Sequence, residues 1–261
     1  MADARSLSGT TPASPSGREV LILRAVIVAV VLATWEVVSM SGLVFRDVVP
    51  SLTAIGKAIG GLLVSSDFYG NLATTAIEIG VGLLIGGLSG LAAGIALGAN
   101  RFLSIAYESL VYYLGPTPKI IFFPVMIMWF GVGTGSKIAM GVVSCFFPIA
   151  ISAAAGMRQI DRVLIRVGRS FRATTWQMVT AIYLPAMRQP IVNGVRLGLG
   201  VAVIGTLLAE TKLSNRGVGY LIIQAYARFD MPRMYALLIV LFVISIAANA
   251  LIGRFGRPRQ G

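Results

Sequence analysis

Apolar residues along this chain run in long blocks and not in short alternations. Residues 21–40, 72–99, 102–130, 137–156, 187–209 and 234–253 each meet or approach the roughly 20 apolar residues that a helix needs to cross a bilayer. They predict six spanning helices. Residues 1–18, rich in Ser, Thr, Pro, Gly and Ala without periodicity, read as a flexible tail, and residues 19–261 as a single transmembrane domain. The run at 21–40 exceeds a signal-peptide core of roughly 7 to 15 residues and is expected to be a retained span. Short surface helices fit 52–63 and 219–228.

Within the spans, polar and small residues carry further pattern. Gly82, Gly86, Gly90, Gly94 and Gly98 recur every fourth residue and leave one helix face almost bare, which suits close packing inside the chain better than a dimer contact. In the third span, Gly115, Pro116 and Pro118 cannot continue a regular helix. A break at that depth survives where its freed carbonyls face protein or a watery cavity, and such broken helices often line a transport path. Lys119 follows directly, and a lysine inside a span usually has a partner or a purpose, the alternative being a simple kink with a snorkelling lysine. Glu36 and Glu108 fall near span ends, within reach of headgroup water, whereas Glu78 and Arg196 lie deeper as candidates for ion pairing or cavity lining.

Between the fourth and fifth spans the pattern changes. Arg158, Arg162, Arg166 and Arg169 recur on one helix face, with Val163, Val167 and Phe171 as a neighbouring apolar stripe. The segment is therefore an amphipathic helix in a loop over residues 157–186.

Composition makes the class firm. The chain is 56% hydrophobic and 12% charged, with mean hydropathy +0.84, against the roughly 25% charged content of soluble domains. A net charge of +12 could indicate nucleic acid, but its placement follows the membrane. With both ends cytoplasmic, Arg5, Arg18, Arg24, Arg101, Arg158, Arg162, Arg166, Arg169, Arg172, Arg188, Arg254, Arg257 and Arg259 lie inside. Arg46, Lys57, Lys137, Lys212, Arg216, Arg228 and Arg233 then lie outside, which obeys the positive-inside rule. No histidine and one cysteine, Cys145, exclude disulfides, a zinc site and His-based catalysis within this chain, and no cofactor or metal is expected in it. Residues 131–137, "GVGTGSK", lack the Walker order because Ser136 precedes Lys137, and they predict a tight turn. These residues leave open a transporter or channel working without ATP, with Glu78, Lys119 and Arg196 as ion-linked groups. A membrane-embedded enzyme would lack an activated nucleophile or metal.

The blocks "VVPSLTAIGKAI", "FFPVMIMWFGVGTGSKI", "FFPIAISAAAGMRQID" and "LAETKLSNRGVGYLI", with the stretch from Gly168 to Gly200, resemble binding-protein-dependent ABC importer permeases of the nitrate, sulfonate, taurine and bicarbonate branch. Ile182, Leu184 and Pro185 match the end of that family's cytoplasmic-loop motif; Arg169, Ser170, Trp176 and Gln177 match residues common in the branch. The resemblance implies an all-α, six-span permease of the type I importer (MetI-like) fold. It also implies a coupling helix that docks into a separate ATPase carrying ATP and Mg, a second permease chain, an extracytoplasmic substrate-binding protein, and inward transport of a small anionic or zwitterionic solute. For ATPase coupling it points to Arg162, Val163, Arg166, Val167, Gly168, Arg169, Ser170, Phe171, Arg172, Trp176, Leu184 and Pro185. The path is expected around Pro116, Pro118, Lys119, Trp129, Phe147 and Arg196. The chain departs from the family where Glu-Ala-Ala becomes Arg166, Val167 and Gly168, and where a family glycine becomes Arg172. Reversed charge at Arg166 calls for a more acidic groove on the ATPase, or for a heterodimer whose second permease keeps the ordinary motif.

Overall fold

The protein is described by a computed structural model over residues 17–42 and 48–256. The expected tail up to residue 16, Arg46, Arg257 and Arg259 lie outside the described residues. Two compact units divide the chain after Gly56.

The first unit is built on α1 (Gly17–Ser41), an apolar helix of 25 residues, about 38 Å long at 1.5 Å per residue. Its end is tied to the following turn. Trp35 Nε1 donates to the Pro50 carbonyl at 3.0 Å and Ser39 Oγ to that of Val49 at 2.9 Å. The Leu52 amide, first in α2 (Leu52–Leu63), donates to Glu36 Oε2 at 2.9 Å. Glu36, expected to reach headgroup water, instead caps α2: a carboxylate at a helix N-terminus satisfies a free amide and opposes the helix dipole.

The second unit holds α3 (Ser66–Ala99), α4 (Arg101–Leu114), a 3₁₀ turn (Lys119–Phe122), α5 (Phe123–Phe130), α6 (Thr134–Arg158), α7 (Arg162–Ser170) and α8 (Thr175–Gln177). A π-helical turn (Met178–Tyr183), α9 (Leu184–Ala186), α10 (Arg188–Lys212), α11 (Val218–Ala227) and α12 (Met231–Gly256) complete it. Five helices among the described residues are long and apolar enough to cross a membrane: α1, α3, α6, α10 and α12. The pair Arg101–Leu114 and Lys119–Phe130, bent by 93° where the prolines predict a break, brings these to six when it is taken as one span.

Helix α6 is the centre of this unit, packed between α3 and α10. The glycine face of α3 lies on its backbone: a Cβ at Gly90 would sit 2.7 Å from the Phe146 carbonyl, and one at Gly86 2.6 Å from that of Val142. Such contact replaces the hydrophobic drive that lipid cannot supply. On the other side, Gly194 and Gly198 of α10 admit Ser152 and Ile149 of α6. Cys145, fully buried in this seam, acts as a small apolar residue, its thiol near the Gly82 carbonyl.

Candidate functional site: a coupling helix and a broken span

Helix α7 starts at Asp161, whose carboxylate accepts the Val163 amide at 2.8 Å. Its short length leaves it dependent on tertiary support. Ile165 supplies that support by packing with Met157, Ile160, Met187 and Tyr183, at the junction of α6 and α10. Gly168, the buried residue of α7, lies against the π turn, and a Cβ there would meet Ile182 Cδ1 at 2.5 Å and Met178 Sδ at 2.6 Å. These flexible side-chain ends close over 168 and leave little room for a large residue. The opposite side is open: Val163, Leu164 and Val167 are about half exposed, Phe171 is 84% and Trp176 74% exposed, and Arg162, Arg166 and Arg169 are exposed beside them. Ser170 Oγ turns back to the Arg166 carbonyl at 3.0 Å.

The end of α7 explains the departure at Arg172. Arg172 has φ +50°, in the left-handed region, while the Ala173 amide donates to the Gly168 carbonyl at 3.0 Å. This is a Schellman closure with arginine at the position glycine favours. Thr174 and Gln177 then form a reciprocal capping box that starts α8. The π turn follows, its Leu184 amide donating to the Val179 carbonyl. Half-buried Leu184 and exposed Pro185 end the turn, proline being tolerated near the start of the next helical segment.

In the broken span, Gly115 closes α4 by donating to the Val111 carbonyl at 3.0 Å. Pro116 and Pro118, both exposed, offer no amide to the preceding turn. Lys119 folds back over the gap: Nζ donates to the Gly115 carbonyl, and to that of Thr117 at 3.2 Å. The same ammonium lies 5.1 Å from the centre of the Phe147 ring on α6, a cation–π contact. Trp129, on α5, is 73% exposed.

The expected path residues Lys119 and Phe147 are therefore brought together, but Arg196 is not with them. Gly194 and Gly198 mark the side of α10 facing α6, and Arg196, two residues from each, is turned by about 200° to the opposite side. Its Nε donates to Asn249 Oδ1 on α12 at 2.7 Å.

Two ionic groupings follow different lines from the sequence reading. Lys137, placed there in an exposed outer loop, is 1% exposed in the first turn of α6, where its ammonium donates to the Val132 carbonyl. Its charge lies within reach of Glu78 of α3 and Glu210 of α10, without a close ion pair to either among the described residues. Glu210 accepts Thr75 Oγ1 at 2.7 Å and the Gly219 amide at 2.6 Å, so one carboxylate joins α3, α10 and the start of α11. A lysine inside an apolar run was the legible signal; burial against partners 59 and 73 positions away was not. Glu108 is the second case. It accepts Ser104 and pairs with Arg158 at 2.5 Å, fastening α4 to α6 instead of reaching headgroup water.

Residues 82–258 match the family described as binding-protein-dependent transport system inner membrane component. The chain belongs to this family. It is the non-catalytic, multi-pass inner-membrane permease component of an ABC importer. The permease is 30% identical to SsuC of Bacillus subtilis, assigned as an aliphatic sulfonates transport permease protein, over 86% of this chain and 81% of that one. The taurine transport system permease protein TauC of Escherichia coli is 29% identical over 76% of this chain and 74% of its own. These relatives support the nitrate, sulfonate and taurine branch. The permease also superposes on a chain of the MetNI methionine ABC transporter with TM-score 0.63 at 23% identity, covering 76% of this chain and 95% of that one. The fold is thus the MetI-like one.

Proposed function

We propose that this permease imports a small anionic or zwitterionic solute, using ATP hydrolysed with Mg on a separate cytoplasmic ATPase. The observation that carries the coupling role is the exposed stripe Val163, Val167 and Phe171 on a helix whose other side is fixed to the roots of α6 and α10. A push on α7 is passed through Ile165 and Gly168 to those spans, because close-packed interiors transmit displacement. The arginines flanking the stripe favour an ATPase groove with acidic rims. Both termini are cytoplasmic in this reading, residues 19–261 act as one permease domain, and a second permease chain completes the path. A substrate-binding protein delivers solute from the other side. No cofactor resides in this chain.

The solute class follows the relatives named for sulfonates and taurine. Lys119 beside Phe147, at the break lined by Pro116 and Pro118, is the proposed path element, with Trp129 on the helix beyond it. An ATP-independent transporter has no observation of its own here.

The test is reconstitution with the cognate ATPase and measurement of ATP hydrolysis and of uptake of radiolabelled taurine and sulfonates. Val167→Asp is expected to abolish ATPase binding while leaving the permease folded. Retained coupling in that variant would overturn the assignment of α7.

A further inference from the structure

The ends of α10 and α12 that carry Arg188 and Arg254 enclose a cavity of about 480 Å³, lined by Gln189, Asn193, Arg196, Gly253 and Arg254 among others. Arg196 lies at its inner side, eight residues into α10, or about 12 Å along the helix. Its guanidinium rests over Gly253, where a Cβ would come within 3.3 Å of Cζ. Arg188 reaches across the mouth and donates to the Phe255 carbonyl at 2.8 Å, at the negative end of α12.

The sequence has no Asp or Glu between Arg162 and Ala209, nor between Met231 and Gly261. Among the described residues, no carboxylate is within ion-pair distance of Arg188, Arg196 or Arg254. Arg196 bonds a neutral amide instead, and Gln189 and Asn193 line the same cavity with two more amides. Guanidinium and amide donors around a cavity at a helix end suit a phosphate.

The surroundings say which phosphate. Both helices are long and apolar enough to cross a membrane, and Leu197 and Ile204 of α10 and Phe242 and Ile246 of α12 are exposed along them. An anionic headgroup in this pocket would hold its acyl chains against that exposed apolar surface, which a soluble anion would not use.

We propose that this pocket binds the headgroup of an anionic phospholipid, with its acyl chains on the exposed apolar surface of α10 and α12. Basic pockets between spanning helices recognise such headgroups.

Delipidated full-length protein in mild detergent is incubated with phosphatidylglycerol or phosphatidylcholine, and bound lipid is counted by native mass spectrometry. Phosphatidylglycerol is expected to be retained in preference. Arg254→Gln should weaken it about fivefold, and Arg196→Gln with Arg254→Gln about 25-fold, from the interaction of each arginine with an anionic lipid surface. Arg101→Gln, at the start of α4, should change nothing. Arg254→Gln leaves the Arg196 to Asn249 bond intact, so it decides the matter if the double variant fails to fold. Equal retention of both lipids, or phosphatidylglycerol binding unchanged in Arg254→Gln, would overturn the proposal. So would inorganic phosphate that displaces the lipid at millimolar concentration, which would mark a site for a free anion.

Discussion

Glu210 and Gly219 are nine residues apart and joined by a 2.6 Å hydrogen bond from the Gly219 amide to the Glu210 carboxylate, at the entrance to α11. The second oxygen of that carboxylate takes the Thr75 hydroxyl at 2.7 Å, and the same hydroxyl oxygen accepts the Val218 amide at 2.8 Å. Three helices thus meet on one buried acid.

Replacing Glu210 with Ala leaves the Thr75 hydroxyl and the Gly219 amide without an acceptor. Each stranded buried group costs about 1–3 kcal/mol. Thermal unfolding in detergent should show a clear loss for Glu210→Ala and a smaller one for Glu210→Gln, which keeps one carbonyl acceptor. Equal losses would show that the second carboxylate oxygen, and not side-chain volume, matters at 210.

At Arg172 the left-handed backbone costs a non-glycine residue about 1–2 kcal/mol. Arg172→Gly should remove most of that strain. Hydrogen exchange at the Ala173 amide, which closes the end of α7, is expected to slow; faster exchange would mean that the arginine side chain holds the turn.

Gly168 distinguishes size from coupling. The atoms it would meet are the flexible ends of Ile182 and Met178, so Gly168→Ala should be tolerated within about 1 kcal/mol. Gly168→Leu should lift α7 from the π turn and lower ATPase stimulation by at least about tenfold, with the melting temperature nearly unchanged because few buried contacts depend on this short helix.

Lys119 serves the break in the third span. Lys119→Met keeps the apolar stem but frees the Gly115 and Thr117 carbonyls, at about 1–3 kcal/mol each if no water replaces the ammonium. The expected outcome is lower thermal stability together with loss of uptake. Unchanged stability with lost uptake would assign the lysine to the solute alone.

Gly90 on α3 faces the Phe146 carbonyl, and backbone cannot yield as a flexible side chain can. Gly90→Leu should separate α3 from α6 and prevent stable insertion, seen as loss of protein from the membrane fraction. Gly80→Leu, on a side of the same helix with open space, should express normally.

The six spans, the break at Gly115 to Pro118 and the amphipathic helix around Arg166 were legible in the sequence. Each depends on local rules: apolar length, missing proline amides and helical periodicity. The four-residue glycine repeat likewise announced a close helix contact, though only the structure names α6 as the partner. Even the departure at Arg172 could be seen, but not that its backbone would be left-handed.

Tertiary structure decided what the charged residues do. Lys137 looked like a loop residue because it follows "GVGTGS", yet α6 begins at Thr134 and carries it inward to Glu78 and Glu210. Arg196 looked like a path residue because it lies inside a span, but helix rotation turns it toward Asn249 and α12. Sequence period sets how residues share a face; which neighbour that face meets depends on the packing of helices far apart in the chain. For this protein, the sequence by itself determined the spans and their breaks, and the packing of α3, α6, α10 and α12 decided which charges meet.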